Sequence, residues 1–374
     1  MNRRTTILVL ILTVLLFAAY SFSREQNGLL HTVAGSADRR IVPISGEPES
    51  DLIDGQPLHY GEAVSTDPAA SFVELMDGTV SKEDPDMTRG AAARLALNLL
   101  KEAAARNDRQ VLDKIGQMGA KCFACDAFYN KTYNAMTAPE LPANVRWFLA
   151  NALAQSGTSH NQSLVVDQMK AAANNPNANE SPSTFAQALQ EAPLTGETVD
   201  QVSVDLASEN PYVREAAVSI LTKQGTVEAA QKLYDHTVER GDPDGYYRDG
   251  MGIAAMHPQA ETLPYLEQLI EQRDQYSHLA VKALLNYGRE GLDKVIEMIA
   301  TSKDIPGDSK LLHNASDHIA NDPNTLALMN SLSSSPNKAL RNLADTVLRE
   351  KGIDRDNLNK QIEYNDNWAD NIIR

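Results

Sequence analysis

The sequence predicts an all-α protein, a right-handed α-solenoid of about seven helix pairs, and three observations support this fold class. A thirteen-residue pattern that ends in glycine occurs four times along the chain. Proline, glycine and asparagine mark short loops between the copies of this pattern. After Ser81, no stretch shows the alternation of apolar and polar residues that is typical of a half-buried strand.

The stretch from Asn210 to Arg240 shows the predicted unit most clearly, as two short helices joined by a tight turn. Pro211 can begin the first helix, where its missing N–H costs nothing. Gly225 ends this helix and Thr226 caps the next one, as these residue types commonly do. Because neither helix is long enough to be stable alone in water, the pair must stack on neighbouring pairs.

The repeated pattern is VREAAVSILTKQG at 213–225, VRWFLANALAQSG at 145–157 and LRNLADTVLREKG at 340–352. A shorter copy, SHLAVKALLNYG, ends at Gly288. Glycine follows glycine after 68, 63 and 64 residues, and each interval holds a second, more degenerate helix pair. The structural period is therefore about 30 to 35 residues, within the range of helical solenoids.

These residues resemble HEAT-like repeats, especially the short kind first described in phycobilisome lyases. The residues that match this pattern are Pro211, Val213, Arg214, Ala216, Ala217, Leu221 and Gly225. The acidic residue that usually precedes the proline is displaced or absent. The resemblance implies architecture only, because such repeats serve as scaffolds, inhibitors, lyase subunits and transport adaptors.

The N-terminal segment predicts an address outside the cytoplasm. Arg3 and Arg4 precede 18 uncharged residues from Thr5 to Phe22. Residues 1–23 are therefore either a single-pass membrane anchor or a signal peptide that is cleaved after export. The positive-inside bias places the body on the far side of the membrane, in the periplasm if the inner membrane holds the anchor.

Three further segments follow the N-terminal one. Residues 24–86 carry recurring prolines among Gly, Ser and acidic residues, which predicts a largely irregular linker, although SFVELM could form a helical turn or strand on the body. Residues 87–363 are predicted to form the solenoid. Residues 364–374 form a polar tail that either caps the last repeat or hangs free.

The charge of the chain limits its partners. The sequence contains 34 Lys and Arg against 50 Asp and Glu, a formal net charge of −16. Such a surface repels phosphate backbones and anionic lipid, so neither nucleic acid nor a flat anionic membrane is an expected partner.

The two cysteines of the chain, Cys122 and Cys125, form a C-x-x-C pair. In an oxidising compartment we expect a disulfide that clips the local turn. A thiol–disulfide exchange site and a metal site remain alternatives, although tetrahedral zinc would need further ligands. Covalent haem is excluded because Asp126 stands where that motif requires histidine.

Other polar groups do not form a recognised catalytic or metal motif. His313, Asp317 and His318 lie close in the sequence, but a surface His–Asp pair explains them. Asp242 and Asp244 lack the spacing of a calcium loop. We therefore predict no catalytic residue, metal or cofactor.

Tyrosines suggest a partner-binding surface, since seven of the twelve lie between Tyr212 and Tyr287. In HEAT-like stacks the second helix of each pair lines the concave side. The residues that this reasoning places on the groove are Tyr234, His236, Tyr265, Glu267 and Gln268. The alternative is that several of these rings are wedged between helices as core.

Two functions follow as expectations. One is a non-catalytic extracytoplasmic scaffold or adaptor that binds a protein or peptide along the concave face. The other is a redox factor or enzyme that uses Cys122 and Cys125.

Overall fold

A computed structural model describes residues 52–53, 56–57, 67–84, 86–175, 181–241, 251–301 and 315–353. The chain divides into two compact units, Met1–Val64 and Ser65–Arg374. In the first unit, strand β1 (Leu52–Ile53) pairs antiparallel with strand β2 (Gln56–Pro57). The predicted anchor, residues 1–23, and the predicted tail, residues 364–374, lie outside the described residues.

The second unit is helical throughout its described residues, and the prediction of an all-α body is confirmed there. Its α-helices are α1 (Pro68–Asp77), α2 (Thr79–Glu83), α3 (Arg89–Arg106), α4 (Gln110–Met118), α5 (Cys125–Met136), α6 (Ala143–Ala154), α7 (Ser159–Asn174), α8 (Pro182–Gln190), α9 (Gly196–Val204), α10 (Pro211–Gln224), α11 (Val227–Arg240), α12 (Met251–Ala254), α13 (Leu263–Gln272), α14 (Ser277–Leu285), α15 (Arg289–Thr301), α16 (Pro323–Leu332) and α17 (Lys338–Glu350). Short 3-10 helices occupy Asp205–Ala207, Ala260–Thr262 and Ala315–His318.

The contacts between helices follow the chain in two rows. In the first row, α6 contacts α8, α8 contacts α10, α10 contacts α12 and α12 contacts α14. In the second row, α7 contacts α9 and α9 contacts α11. The first-row helices α6, α8 and α10 are each followed in the chain by a second-row helix, so this part of the described chain forms successive helix pairs. An all-helical chain in which each pair contacts its neighbours fits a helical-repeat architecture.

Each of the four pattern glycines follows a helix and has the left-handed conformation, as the pattern predicted. Gly157, Gly225, Gly288 and Gly352 follow α6, α10, α14 and α17, and their φ angles are 69°, 65°, 84° and 66°. A left-handed residue after the last helical turn is the usual place for glycine, which has no Cβ to resist this conformation. The helices α8 and α12 lie between the glycine-ended helices in the first row.

Side-chain hydrogen bonds join the C-terminal ends of the first-row helices, and we call this set the amide ladder. Gln155 after α6 donates to the Glu191 carbonyl after α8, over 3.0 Å. Gln224 at the end of α10 donates to the carbonyls of Leu189 and Ala192, over 3.0 and 2.9 Å.

The amide ladder continues beyond α10. Gln259 after α12 donates to the Gln224 carbonyl over 2.8 Å, and Asn286 after α14 donates to the carbonyls of Ala254 and Met256, each over 2.9 Å. These partners are 30 to 36 residues apart in the chain, which agrees with the predicted structural period.

The arginine of the pattern has a structural role in three copies. Arg146 donates to the Met136 and Ala138 carbonyls, and Arg214 donates to the Ser208 carbonyl over 2.8 Å. In the last copy, Arg341 donates to carbonyls of the connector before its helix in the same way. Each arginine therefore ties its helix to the connector that precedes it, which satisfies carbonyls left unpaired outside regular structure.

The helical body begins earlier than the sequence predicted, since α1 and α2 lie inside the segment interpreted as linker. Asp67 accepts a hydrogen bond from the Ala69 N–H and Pro68 occupies the first turn, a favourable start for a helix. Phe72 is fully buried, and its ring meets that of Phe128 edge to face at 5.4 Å between centroids. Burial of the apolar face of α1 against α3 and α4 therefore stabilises this helix in a proline-containing segment.

No helix among the described residues is both long enough and apolar enough to cross a membrane.

Candidate functional site

The structure divides the predicted tyrosine surface into buried and exposed parts. Tyr234 on α11 is only 5% exposed, and its hydroxyl donates to Asp274 Oδ2 over 2.6 Å. The Tyr276 ring meets it edge to face, with 6.3 Å between centroids. Burial, with help from the hydrogen bond to Asp274, raises the pKa of Tyr234. Tyr234 therefore packs in the core and joins α11 to the connector after α13.

The second predicted tyrosine, Tyr265 on α13, is half-buried and packs against the core. Burial and the nearby negative charge of Asp235 raise the pKa of Tyr265 to about 12. Its hydroxyl is therefore neutral at physiological pH and can donate or accept a hydrogen bond.

The remaining predicted groove residues have three different settings. His236 is half-buried, and Glu267 pairs with Lys294 on α15 at 2.6 Å. Gln268 alone among the five predicted residues is classed as exposed. Tyr234 and Tyr265 therefore lie near each other. Most of the five predicted residues are nevertheless buried or half-buried rather than exposed to solvent.

Ion pairs connect the second-row helices. Lys170 on α7 pairs with Asp205 after α9 at 2.9 Å, and Lys232 on α11 pairs with Asp200 on α9 at 2.8 Å. Burial raises the pKa of Asp205, while the hydrogen bond and charge of Lys170 oppose this rise. These pairs and Glu267–Lys294 each join one helix pair to the next, and partly exposed ion pairs of this kind contribute only about 0 to 1 kcal/mol each.

The cysteine pair is a disulfide, as expected. Cys125 is buried as the first residue of α5, whereas Cys122 is half-buried in the turn before it. Between them, the Ala124 N–H donates to the Met76 carbonyl at the end of α1 over 3.1 Å. The turn that the disulfide closes therefore holds α1 against α5.

The residues considered in the sequence as a histidine cluster or a calcium loop are only partly described by the structure. His313, Asp242 and Asp244 lie outside the described residues. His318 donates from Nδ1 to Asn286 Oδ1 over 2.9 Å, and burial lowers its pKa. His318 thus extends the amide ladder by one step. Within the described ranges, no group of three or more His, Cys, Asp or Glu side chains could hold a metal ion.

One surface feature was anticipated only in part, since Tyr212 belongs to the predicted tyrosine cluster whereas Val204 and Val238 were not singled out. Val204, Tyr212 and Val238 are the large apolar side chains that are exposed in the described part of the chain, with 73%, 64% and 40% of their surface accessible. The sequence contained one signal for this surface. Tyrosine stands at the second position of α10, whereas another copy of the pattern has the polar Asn144 at the equivalent place.

Comparisons with known proteins leave the family open. No protein-family model matches the chain, and no curated protein matches it. Among solved structures, the chain is similar to an engineered protein whose crystal structure came from the Northeast Structural Genomics Consortium. The two share 14% identity at a TM-score of 0.23, over 76% of this chain and 85% of that chain. The helices and their contacts alone define the class, an all-helical protein whose arrangement fits a helical-repeat architecture.

Proposed function

We propose that this chain is a HEAT-like α-solenoid that acts as an extracytoplasmic scaffold or adaptor, binds a protein or peptide partner, and performs no chemistry of its own. The observation that carries the proposal is the succession of helix pairs joined by the amide ladder. An array of this kind presents an extended, pre-organised surface to a partner at low ordering cost.

The proposed location rests on the sequence. Arg3, Arg4 and the uncharged run after them support export and an inner-membrane anchor, with a cleaved signal as the alternative. The net charge of −16 favours a neutral or basic partner over nucleic acid. Protease added to spheroplasts tests the location, because it should digest an exposed body, whereas a body that survives until the membrane is lysed refutes it.

The binding function is tested by crosslinking in intact membranes, followed by purification through a C-terminal tag and mass spectrometry. We expect a specific protein partner that is absent when the helical body is replaced by an unrelated exported domain. Recovery of the same proteins with both chains would refute the scaffold function.

A thiol–disulfide exchange function is a second candidate, and one observation favours it. Cys125 begins α5, and a helix N-terminus stabilises a thiolate, while Cys122 is the more accessible sulfur. In such a reaction two thiols of a reduced partner would become its disulfide, and Cys122 and Cys125 would take up the two electrons and two protons. Replacement of both cysteines by serine distinguishes the candidates, since only a redox factor loses function at nearly unchanged stability.

A further inference from the structure

Three exposed apolar side chains lie at the same end of the helices that carry them. Val204 ends α9, Tyr212 lies in the first turn of α10, and Val238 lies in the last turn of α11. Helices joined by short connectors run in opposite directions, so the end of α9, the start of α10 and the end of α11 lie at the same end of their pairs. We call these three residues the apolar edge.

The backbone that presents the apolar edge is held in place. Asp205, next to Val204, is buried and pairs with Lys170 at 2.9 Å. Asn210, two residues before Tyr212, donates to the Ala173 carbonyl over 3.0 Å. Because these contacts already order the connector, binding of a partner here would not require a further loss of conformational entropy in the connector.

The repeat itself does not require an apolar ring at this place. The positions equivalent to Tyr212, counted back from each pattern glycine, are Asn144, Gln275 and Ala339. Asn144 and Gln275 are exposed polar residues, and Ala339 is buried. Tyrosine at position 212 is therefore a local addition to a shared fold, and an exposed tyrosine is the residue type most suited to binding.

The charges beside the apolar edge indicate the chemistry of its partner. Glu209, three residues before Tyr212, and Glu239, next to Val238, are exposed, as is Arg240, so these three groups carry a net charge of −1 (−2 + 1). A second copy of this chain would bring the same carboxylates and another charge of −16, so charge repulsion disfavours self-association. A segment with apolar side chains next to Lys or Arg would complement both features.

We propose that the apolar edge binds a short protein segment in which apolar side chains are flanked by lysine or arginine. This inference rests on the proposed scaffold function and specifies where the partner binds. It places the contact on the end of the pairs formed by α9, α10 and α11, rather than on the buried Tyr234.

The test uses the full chain in detergent and three fluorescent peptides of equal length, one with Leu and Lys, one with Leu and Glu, and one with Ser and Lys. We expect the Leu–Lys peptide to bind about tenfold more tightly than the other two. The double variant Tyr212→Asn, Val204→Ser should weaken this binding about tenfold, because truncation of exposed anchors of this kind commonly costs that much. The charge of the chain is unchanged in this variant, and Gln275→Ala, at the exposed equivalent position of another copy, serves as the matched surface control.

Equal affinity of the double variant and the Gln275→Ala control would overturn the proposal, as would equal binding of the Leu–Glu peptide. A sedimentation coefficient that falls to that of a monomer in the double variant would also overturn it, since the edge would then join two copies of the chain. Failure of the scaffold function is distinct, because the membrane crosslinking experiment would then recover no specific partner with the unaltered chain. If the same specific partner is recovered equally with Tyr212→Asn, the scaffold function is supported and the proposal of binding at the apolar edge is refuted.

Discussion

Replacing Gly225 by alanine tests why the glycine of the repeat is needed. Gly225 has a φ of 65°, and a Cβ at this position would lie 2.3 Å from the His257 carbonyl oxygen. Gly157 and Gly288 have φ angles of 69° and 84°, but a Cβ there would meet nothing within 4 Å. The three positions therefore share the backbone conformation and differ in the space around it.

The expected cost differs accordingly. The left-handed conformation costs alanine about 1 to 2 kcal/mol at each of the three positions. At Gly225 the backbone near His257 must also move. This movement weakens the hydrogen bonds that the Gly225 carbonyl accepts from the Gln259 N–H and the Thr262 hydroxyl, over 2.9 and 2.7 Å. Overpacking of this kind commonly costs about 1 to 3 kcal/mol, and weakened hydrogen bonds add about 1 kcal/mol. We expect Gly225→Ala to lose about 3 to 6 kcal/mol in total.

Urea unfolding followed by far-ultraviolet circular dichroism gives the free energies, and hydrogen exchange locates the loosened repeat. Asparagine at the same positions separates the two causes, because it tolerates the left-handed conformation but still carries a Cβ. We expect Gly288→Asn to be nearly neutral and Gly225→Asn to remain costly. If alanine lowers stability equally at Gly157, Gly225 and Gly288, the close approach to His257 does not explain the glycine.

Three further predictions concern stability and are measured by urea unfolding. Arg214→Ala should lower the free energy of unfolding by about 1.5 to 3 kcal/mol, the range for a hydrogen bond to a charged group. Arg214→Lys should not restore this stability, and full recovery with lysine would show that the geometry of the guanidinium group is not required. Tyr234→Phe should cost about 1 kcal/mol, because it removes only the bond to the exposed Asp274, and a loss of several kcal/mol would show a larger network. Serine at both Cys122 and Cys125 should cost about 2 kcal/mol or less and speed hydrogen exchange in α1, whereas unchanged exchange there would show that the disulfide does not hold that helix.

The repeat was predictable because its signal is local. Glycine after an apolar stripe identifies a helix end, and four copies at similar intervals identify the stack, so Gly157 and Gly225 could be assigned equivalent places from the sequence. The buried position of Tyr234 also had a signal, since it extends the apolar stripe of Ala230 and Leu233 on α11.

What the sequence could not predict depends on contacts between distant residues. The helix α1 is stabilised by burial of Phe72 against residues more than 50 positions later, such as Phe128, and its own segment resembles a linker. The exposure of Tyr212 likewise depends on which neighbouring helices cover the start of α10. Local patterns therefore identify the helices, while packing decides which of their side chains a partner can reach.

The alternation of first-row helices has a consequence for how a chain of this kind can grow or shrink. Pattern glycines end α6, α10 and α14, while α8 and α12 between them lack one, so the sequence repeats every second pair. The repeating unit of the sequence is then a double pair of 63 to 68 residues. Duplication or loss of a whole unit keeps first-row helices with and without a pattern glycine in alternation. Each amide of the ladder then still faces the same kind of helix end. Loss of one pair would set two glycine-ended helices side by side, with ladder amides facing carbonyls of the wrong geometry, so we expect deletion of two pairs to be tolerated better than deletion of one.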